Sequence, residues 1–317
     1  MTVLEVHRRY EKLAGAHPRF LAFRPIGESP GAGGVLPVCA FDLHDRRRPA
    51  KNPPVFVLTA GVHGIEAIGV QLLHAFVGHL ATQTRWNAQV RRLLRRVRIT
   101  GIPIVNPAGY EAGTRANGRG VDLMRNAPVE AEAPVPFFGG QRLSALLPYW
   151  RGDGALEPEA KLLTDLVLDV ARAAPFTLAL DLHSGFGART SLWTPYARRP
   201  GRPPTWREYR RIRNVVDEAI PHHRLRFEPQ SVRYRTSGDL WDWMYDTAQG
   251  EGLVRRFYPL TLEIGTWRWL RRSPLDALHR FNYFNPSRPG RQRRVMERHV
   301  PLLALLAHAA ANYKKVV

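Results

Sequence analysis

Apolar residues in this chain follow two rhythms. A continuous apolar run at 55–59 and mostly apolar runs at 97–105, 176–182 and 258–264 read as strands covered on both faces. Between the first two, Ile65, Ile68, Leu72, Leu73, Phe76 and Leu80 recur every three or four positions, the spacing of a helix with one buried face. Val3, Val6, Tyr10 and Leu13 repeat that spacing at the start of the chain. Further helices are predicted over 85–96, 157–173, 206–220 and 239–245, with two closing helices of which the last covers 291–312. Shorter strands are predicted at 35–43 and 224–228. The Gly/Pro/Ser segment 27–34 and the Pro/Arg-rich segment 196–204 are expected to be loops, and 45–54 a polar connection. The aperiodic stretch 109–141 is expected to be a long loop, a length that in a compact enzyme is either functional or disordered. Strands alternating with helices predict an α/β fold with a mixed, largely parallel central sheet and helices on both faces. With no repeat and no linker composition, one domain spanning 1–317 is expected.

Composition narrows the chemistry. Hydrophobic residues at 44% and charged residues at 23% exclude a disordered or fibrous protein. The single cysteine, Cys39, excludes a disulfide framework and a cysteine-built metal site, so a metal must be held by His, Asp or Glu. Forty-seven basic against 27 acidic residues give +20, with only five lysines. Such a charge admits nucleic acid, acidic membranes or anionic substrates. The arginine clusters lie far apart along the chain with no nucleic-acid motif, so nucleic acid is not the expected partner. Charged residues interrupt any leader-like run at the N-terminus, and the apolar stretch 302–311 is too short to span a bilayer. A cytoplasmic location with no transmembrane segment is therefore expected.

In open α/β sheets ligands bind beyond the carboxyl ends of the strands. His63 follows the run at 55–59, His183 follows that at 176–182, and Glu263 lies within 258–264. Glu66, three residues past His63, begins the next helix, so one strand-to-helix turn presents an imidazole and a carboxylate together. Two His and one Glu form a known zinc-binding set that leaves a position for water. Glu263 in an apolar run is costly without a partner or a task, and a base beside a metal is such a task. Asp181, two residues before His183 on the same strand face, reads as a structural ion pair, with orientation of that ring or of neighbouring Arg side chains as the alternative, and Gly61 and Gly64 as turn residues.

The ordered motifs Ala60-Gly61-Val62-His63-Gly64-Ile65-Glu66, Asn106-Pro107 through Thr114-Arg115 to Asp122-Leu123-Met124-Arg125-Asn126, Leu180-Asp181-Leu182-His183-Ser184, Ser237-Gly238 with Asp242-Trp243-Met244-Tyr245, and Thr261-Leu262-Glu263 resemble the zinc carboxypeptidase family, the carboxypeptidase A-like metallopeptidases. The likeness is to a bacterial branch of unassigned substrate. It implies one Zn2+ ion held by His63, Glu66 and His183, with Glu263 as general base. It implies that Asp122 orients His63, that Arg115 stabilises the oxyanion, and that Arg125 with Asn126 grips the substrate carboxylate. Tyr234 matches a mobile tyrosine that covers the substrate, and Trp241 a position of the specificity pocket. Met124 departs from the family's Asn, whose amide helps Arg125. The substrate implied is a peptide, or an acyl amino acid, with a free carboxylate. The neighbouring alternative is an N-acyl amino acid deacylase of the aspartoacylase and succinylglutamate desuccinylase type. An alternative from another class is a basic nucleic-acid or anion-binding protein on a degenerate peptidase fold.

Overall fold

The computed structural model describes every residue except 32, 254–255, 274–278 and 287, together with the side chain of Arg272. In chain order the strands are β1 (Leu21–Gly31), β2 (Gly34–Leu43), β3 (Val55–Ala60), β4 (Arg98–Ile102), β5 (Thr177–Ser184), β6 (Ser191–Thr194), β7 (Arg226–Pro229) and β8 (Phe257–Ile264). The helices are α1 (Val3–Ala16), α2 (Ala67–Gln83), α3 (Ala88–Arg96), α4 (Pro107–Ala112), α5 (Pro158–Ala173), α6 (Trp206–Ala219), α7 (Leu240–Gly250), α8 (Trp267–Arg272), α9 (Arg280–Phe284), α10 (Pro289–Ala311) and α11 (Tyr313–Val316).

One sheet carries all eight strands in the order β1-β2-β4-β3-β5-β8-β6-β7. Its centre, β4-β3-β5-β8, is parallel, while β2 joins β4 and β6 joins β8 antiparallel. Every residue of β3, β5 and β8 is buried, as their mostly apolar composition favours, and Asp181, His183 and Glu263 are buried with them. One face packs on α1, α2, α6 and α10 through residues such as Phe76, Tyr209 and Leu303, and the other on α5 and α7 through Leu163 and Met244. Local chemistry places the helix starts. Thr2 and Glu5 form a capping box on α1, Asn87 accepts the Gln89 and Val90 N–H groups at α3, and Asp239 accepts those of Trp241 and Asp242 at α7.

The structure departs from the sequence reading in four places. Segment 27–34 is largely strand: β1 pairs with β2 from Leu21↔Leu43 out to Gly31↔Gly34, with a register shift between Pro25 and Gly27. At a sheet edge the missing Pro N–H costs no ladder bond, so Pro and Gly there did not mark a loop. The four-residue β6 lies within what its flanking loops had concealed. The stretch 109–141 opens inside α4 and is otherwise irregular, apart from two short 3-10 turns and an isolated bridge at Gln141↔Trp150. After β8 the described chain forms four helices, α8 to α11, where two were expected.

Candidate active site

Three carboxyl-end elements of the parallel centre build the site. Beyond β3, Gly61 turns the chain at φ 64°, and Gly64 passes so close to α4 that a Cβ would lie 2.0 Å from the Gly109 carbonyl carbon. His63 and Glu66 sit on this turn, Glu66 at the N-cap of α2. Far along the chain, Asn285 clamps the same turn: its Oδ1 accepts the Ile68 N–H at 2.9 Å and its Nδ2 donates to the Ile65 carbonyl at 2.7 Å. On the adjoining strands, His183 of β5 and Glu263 of β8 are direct register partners.

Glu66 Oε1 lies 2.7 Å from His63 Nδ1, and Glu66 Oε2 lies 3.0 Å from His183 Nδ1. The two Nδ1 atoms are 3.2 Å apart. Each far ring nitrogen meets a carboxylate: His63 Nε2 is 3.2 Å from Asp122 Oδ1, and His183 Nε2 is 2.7 Å from Asp181 Oδ2. Such partners draw the ring proton to Nε2 and turn the Nδ1 lone pairs inward. Two inward lone pairs and one carboxylate, all buried and with ligand atoms within 4.8 Å of one another, match a divalent cation and the His₂Glu zinc set. The residues present fit a zinc ion.

The electrostatics are those of a tight charge cluster. Burial alone would raise the Glu66 carboxyl, but the His63 and His183 rings outweigh it and hold the group low. At Asp122 burial is likewise outweighed, by Arg115 and His63. Burial lowers His183, yet Asp181 and Glu66 reverse the sign and raise it well above the usual histidine range. Burial, followed by the nearby Glu66 carboxylate, pushes Glu263 up to about 8. Glu263 Oε1 accepts the Phe186 N–H at 2.8 Å.

A cavity of about 290 Å³ opens over this cluster. His63, Glu66, His183, Glu263, Arg115, Arg125 and Tyr234 all line it. Arg115 Nε donates to Asp122 Oδ2 at 2.7 Å, so one carboxylate holds both a histidine and this guanidinium. Arg125 is only 3% exposed, donates through Nη1 to the Met124 carbonyl, and leaves its buried Nε without a partner. Its Cζ stands 6.0 Å from the Tyr234 ring centre, and burial pushes the Tyr234 hydroxyl up to about 12. Met124 lines the cavity beside it, so an apolar thioether stands where an amide was expected.

Two of the sequence candidates face elsewhere. Asn126 is fully buried, donating to the Arg151 and Ala155 carbonyls and accepting the Glu157 N–H, and these bonds hold the 151–157 segment. Its side chain is used up within the loop, which corrects the expectation of substrate binding. Trp241 is not a cavity wall either: its Nε1 donates to Asp181 Oδ2 at 2.9 Å behind His183. Being near the start of α7, it faces the sheet and not the mouth. Asp181, read as a structural ion pair, pairs with His183 Nε2 and is also a hub that accepts the Thr59 hydroxyl. The sequence reading missed the Asn285 clamp and the aromatic walls, among them Phe138, Tyr149, Phe186, Trp193 and Phe284. Those residues are scattered over 147 positions of chain, from 138 to 284, and carry no spacing signal.

Comparison with known proteins places this geometry. The zinc carboxypeptidase family model matches residues 6–275. Carboxypeptidase SOL1 of Arabidopsis thaliana is 22% identical over 256 residues, which are 78% of this chain and 47% of that protein. The carboxypeptidase N catalytic chain of Rattus norvegicus is 30% identical over 205 residues, covering 56% of this chain and 42% of its own. This chain thus spans less than half the length of these two relatives. Among solved structures, bovine thrombin-activatable fibrinolysis inhibitor in complex with tick carboxypeptidase inhibitor superposes with a TM-score of 0.72 at 17% identity, covering 99% of this chain and 98% of that one. Carboxypeptidase A of Helicoverpa armigera gives 0.71 at 17% identity, covering 99% and 74%. These likenesses establish the shared fold, and with a family match over most of its length the chain belongs to the zinc carboxypeptidase family.

Proposed function

We propose that this protein is a zinc-dependent, carboxypeptidase-like hydrolase that cleaves the amide bond next to a substrate's free carboxylate. The observation that carries the reading is the meeting, in one cavity, of the His63–Glu66–His183 cluster, the high-pKa carboxyl of Glu263 and two guanidiniums. Arg125, buried and without a carboxylate partner among the described residues, receives the terminal carboxylate through its planar fork. This anchors the scissile carbonyl near Arg115, whose positive charge Asp122 holds in place for the developing oxyanion. His63, Glu66 and His183 would hold the zinc ion, which would supply Lewis acidity for the scissile carbonyl and the attacking water. Glu263 accepts the proton of the attacking water and returns it to the departing amine nitrogen. Asp122 and Asp181 keep both imidazoles in the orientation that leaves Nδ1 free. Tyr234, at the cavity wall beside Arg125, covers the bound end of the substrate.

The test is a mass-spectrometric product assay with zinc-loaded protein on peptides with free C-termini, the same peptides amidated, and N-acyl amino acids. Release of a C-terminal residue from free-acid members alone is expected. Cleavage confined to N-acyl amino acids would instead assign a deacylase. Glu263→Gln is expected to keep zinc while turnover falls by about 10²–10⁴-fold; unchanged turnover would refute the assigned mechanism.

A further inference from the structure

We propose that the end of this molecule opposite the cavity is a docking surface for an anionic phospholipid bilayer, formed by basic side chains that lie far apart along the chain. The central strands fix which end this is. The cavity stands beyond their carboxyl ends, whereas β2 finishes at Leu43 opposite Ile99 and β3 starts at Val55 opposite Arg98. The 44–54 connection therefore lies at their amino ends. Segment 84–98, which holds α3, leads into β4 at the same end. α11 closes on it too, since Tyr313 stacks on Phe176, the residue before β5, with ring centres 4.9 Å apart.

Hydrogen bonds join these segments into one surface. The Asp45 N–H donates to the Leu94 carbonyl at 2.7 Å, and the Ala50 N–H to that of Arg95 at 3.0 Å. Arg96 Nη2 donates to the Ala311 carbonyl and, at 2.9 Å, to Asn312 Oδ1. Segments 44–54, 84–98 and 311–317 together hold twelve Lys and Arg residues and one acidic residue. That residue, Asp45, is fully buried and occupied by Arg19 and Arg95 at 2.8 and 3.1 Å. Facing outward are Arg47, Arg48, Lys51, Arg92, Lys314 and Lys315, all exposed and without a salt bridge among the described residues. The excess charge of the chain is thus not spread evenly: α5 and α7, across the sheet, carry five acidic and two basic residues.

A bilayer fits this surface better than a nucleic acid does. Basic side chains close to an anionic leaflet each raise affinity about fivefold, and this end supplies many at one level. Trp86 stands 69% exposed at the turn before α3, next to Arg85. An indole, apolar in body and polar at its N–H, is a ring that settles at headgroup level. Among the described residues it is also the one exposed aromatic ring of these segments, whereas single-stranded nucleic acid is held by a series of rings on which successive bases stack. Docked by this end, the protein keeps its cavity open, because the mouth lies at the far end of the parallel strands.

Cosedimentation of the zinc-loaded chain tests this with vesicles of phosphatidylcholine alone and of phosphatidylcholine with one part in three phosphatidylglycerol. At about 0.1 M salt, binding to the anionic vesicles is expected to exceed that to the neutral ones at least tenfold, and to fall at least tenfold at about 0.5 M. Arg47→Gln, Arg48→Gln and Lys51→Gln together are expected to weaken it at least tenfold. Arg293→Gln, Arg294→Gln and Arg298→Gln remove the same charge from the exposed side of α10, about 20 Å or more from the helix end that Arg96 meets, and are expected to cost less than threefold. Should the first set unfold early, Arg92→Gln, Lys314→Gln and Lys315→Gln give the same comparison. Losses no larger than those of the α10 set, or no preference for anionic vesicles, overturn the docking surface. A single-stranded or duplex oligonucleotide that binds where vesicles do not would assign this end to nucleic acid and overturn the bilayer as its occupant.

Discussion

The indole N–H of Trp241 lies 2.9 Å from Asp181 Oδ2, the same oxygen that stands 2.7 Å from His183 Nε2. The tryptophan therefore acts on the metal cluster from behind, through a carboxylate it helps to hold. Trp241→Phe keeps the ring and removes the donor. Zinc affinity, read by competition with a chromogenic chelator, is expected to fall about tenfold, the usual scale for losing an outer partner of a metal ligand. The preferred C-terminal side chain should not change. A changed preference at unaltered zinc affinity would return Trp241 to the substrate pocket.

Glu263 gives the metal-free protein a pH dependence of defined sign. Its carboxyl, pushed up to about 8 by burial and then by Glu66, binds a proton in the folded state that the unfolded chain, near the ordinary value of about 4.3, has released. Folding thus retains protons between those two values, and this contribution to stability is lost as pH rises toward 8. Glu263→Gln in excess chelator should melt close to the unaltered protein at pH 5 and above it at pH 8. Parallel melting curves at both pH values would show that the carboxyl is not raised.

Asn285 joins the segment before α10 to the turn that carries Glu66. Asn285→Ala removes both of its buried bonds to Ile65 and Ile68, and unfolding free energy is expected to fall by about 1–3 kcal/mol. Zinc affinity should fall with it, because Glu66 opens the helix that this side chain caps. A loss of stability with unchanged zinc affinity would show that the turn holds its shape without the clamp.

Met124 puts a thioether next to the carboxylate anchor. Met124→Asn is expected to lower KM for free-acid peptides by up to about tenfold through one added charge-assisted bond, with kcat little changed. The buried amide should cost about 1–3 kcal/mol of stability, visible in urea unfolding. An unchanged KM would mean that Arg125 alone suffices.

The central strands and the turn bearing His63 and Glu66 were legible in the sequence because continuous apolar runs and short spacing are local signals. The β1 edge was not, because Pro and Gly look like loop residues unless the unpaired outer side of a strand is known. β6 was hidden because four residues are too few to set a rhythm. Trp241 could be placed near the site by order along the chain, but which way a helix turns a ring depends on packing. Asp181 had the right strand and the right face, yet its meeting with Trp241 spans 60 positions, and that of Asn285 with Ile65 spans 220. Contacts of that range leave no periodic trace.

The pairing of His183 with Glu263 across β5 and β8 has an evolutionary consequence. The separation of these two side chains is dictated by the ladder between neighbouring strands, about 4.8 Å apart in any sheet. No side-chain packing has to be preserved to maintain it. Most of the aromatic walls of the cavity come instead from loops and short helices: 137–149, 185–186 and the described part of 267–284. Mutation can therefore rework the cavity walls while His183 and Glu263 stay in register, so the shape of the cavity can drift faster than the pairing at its base.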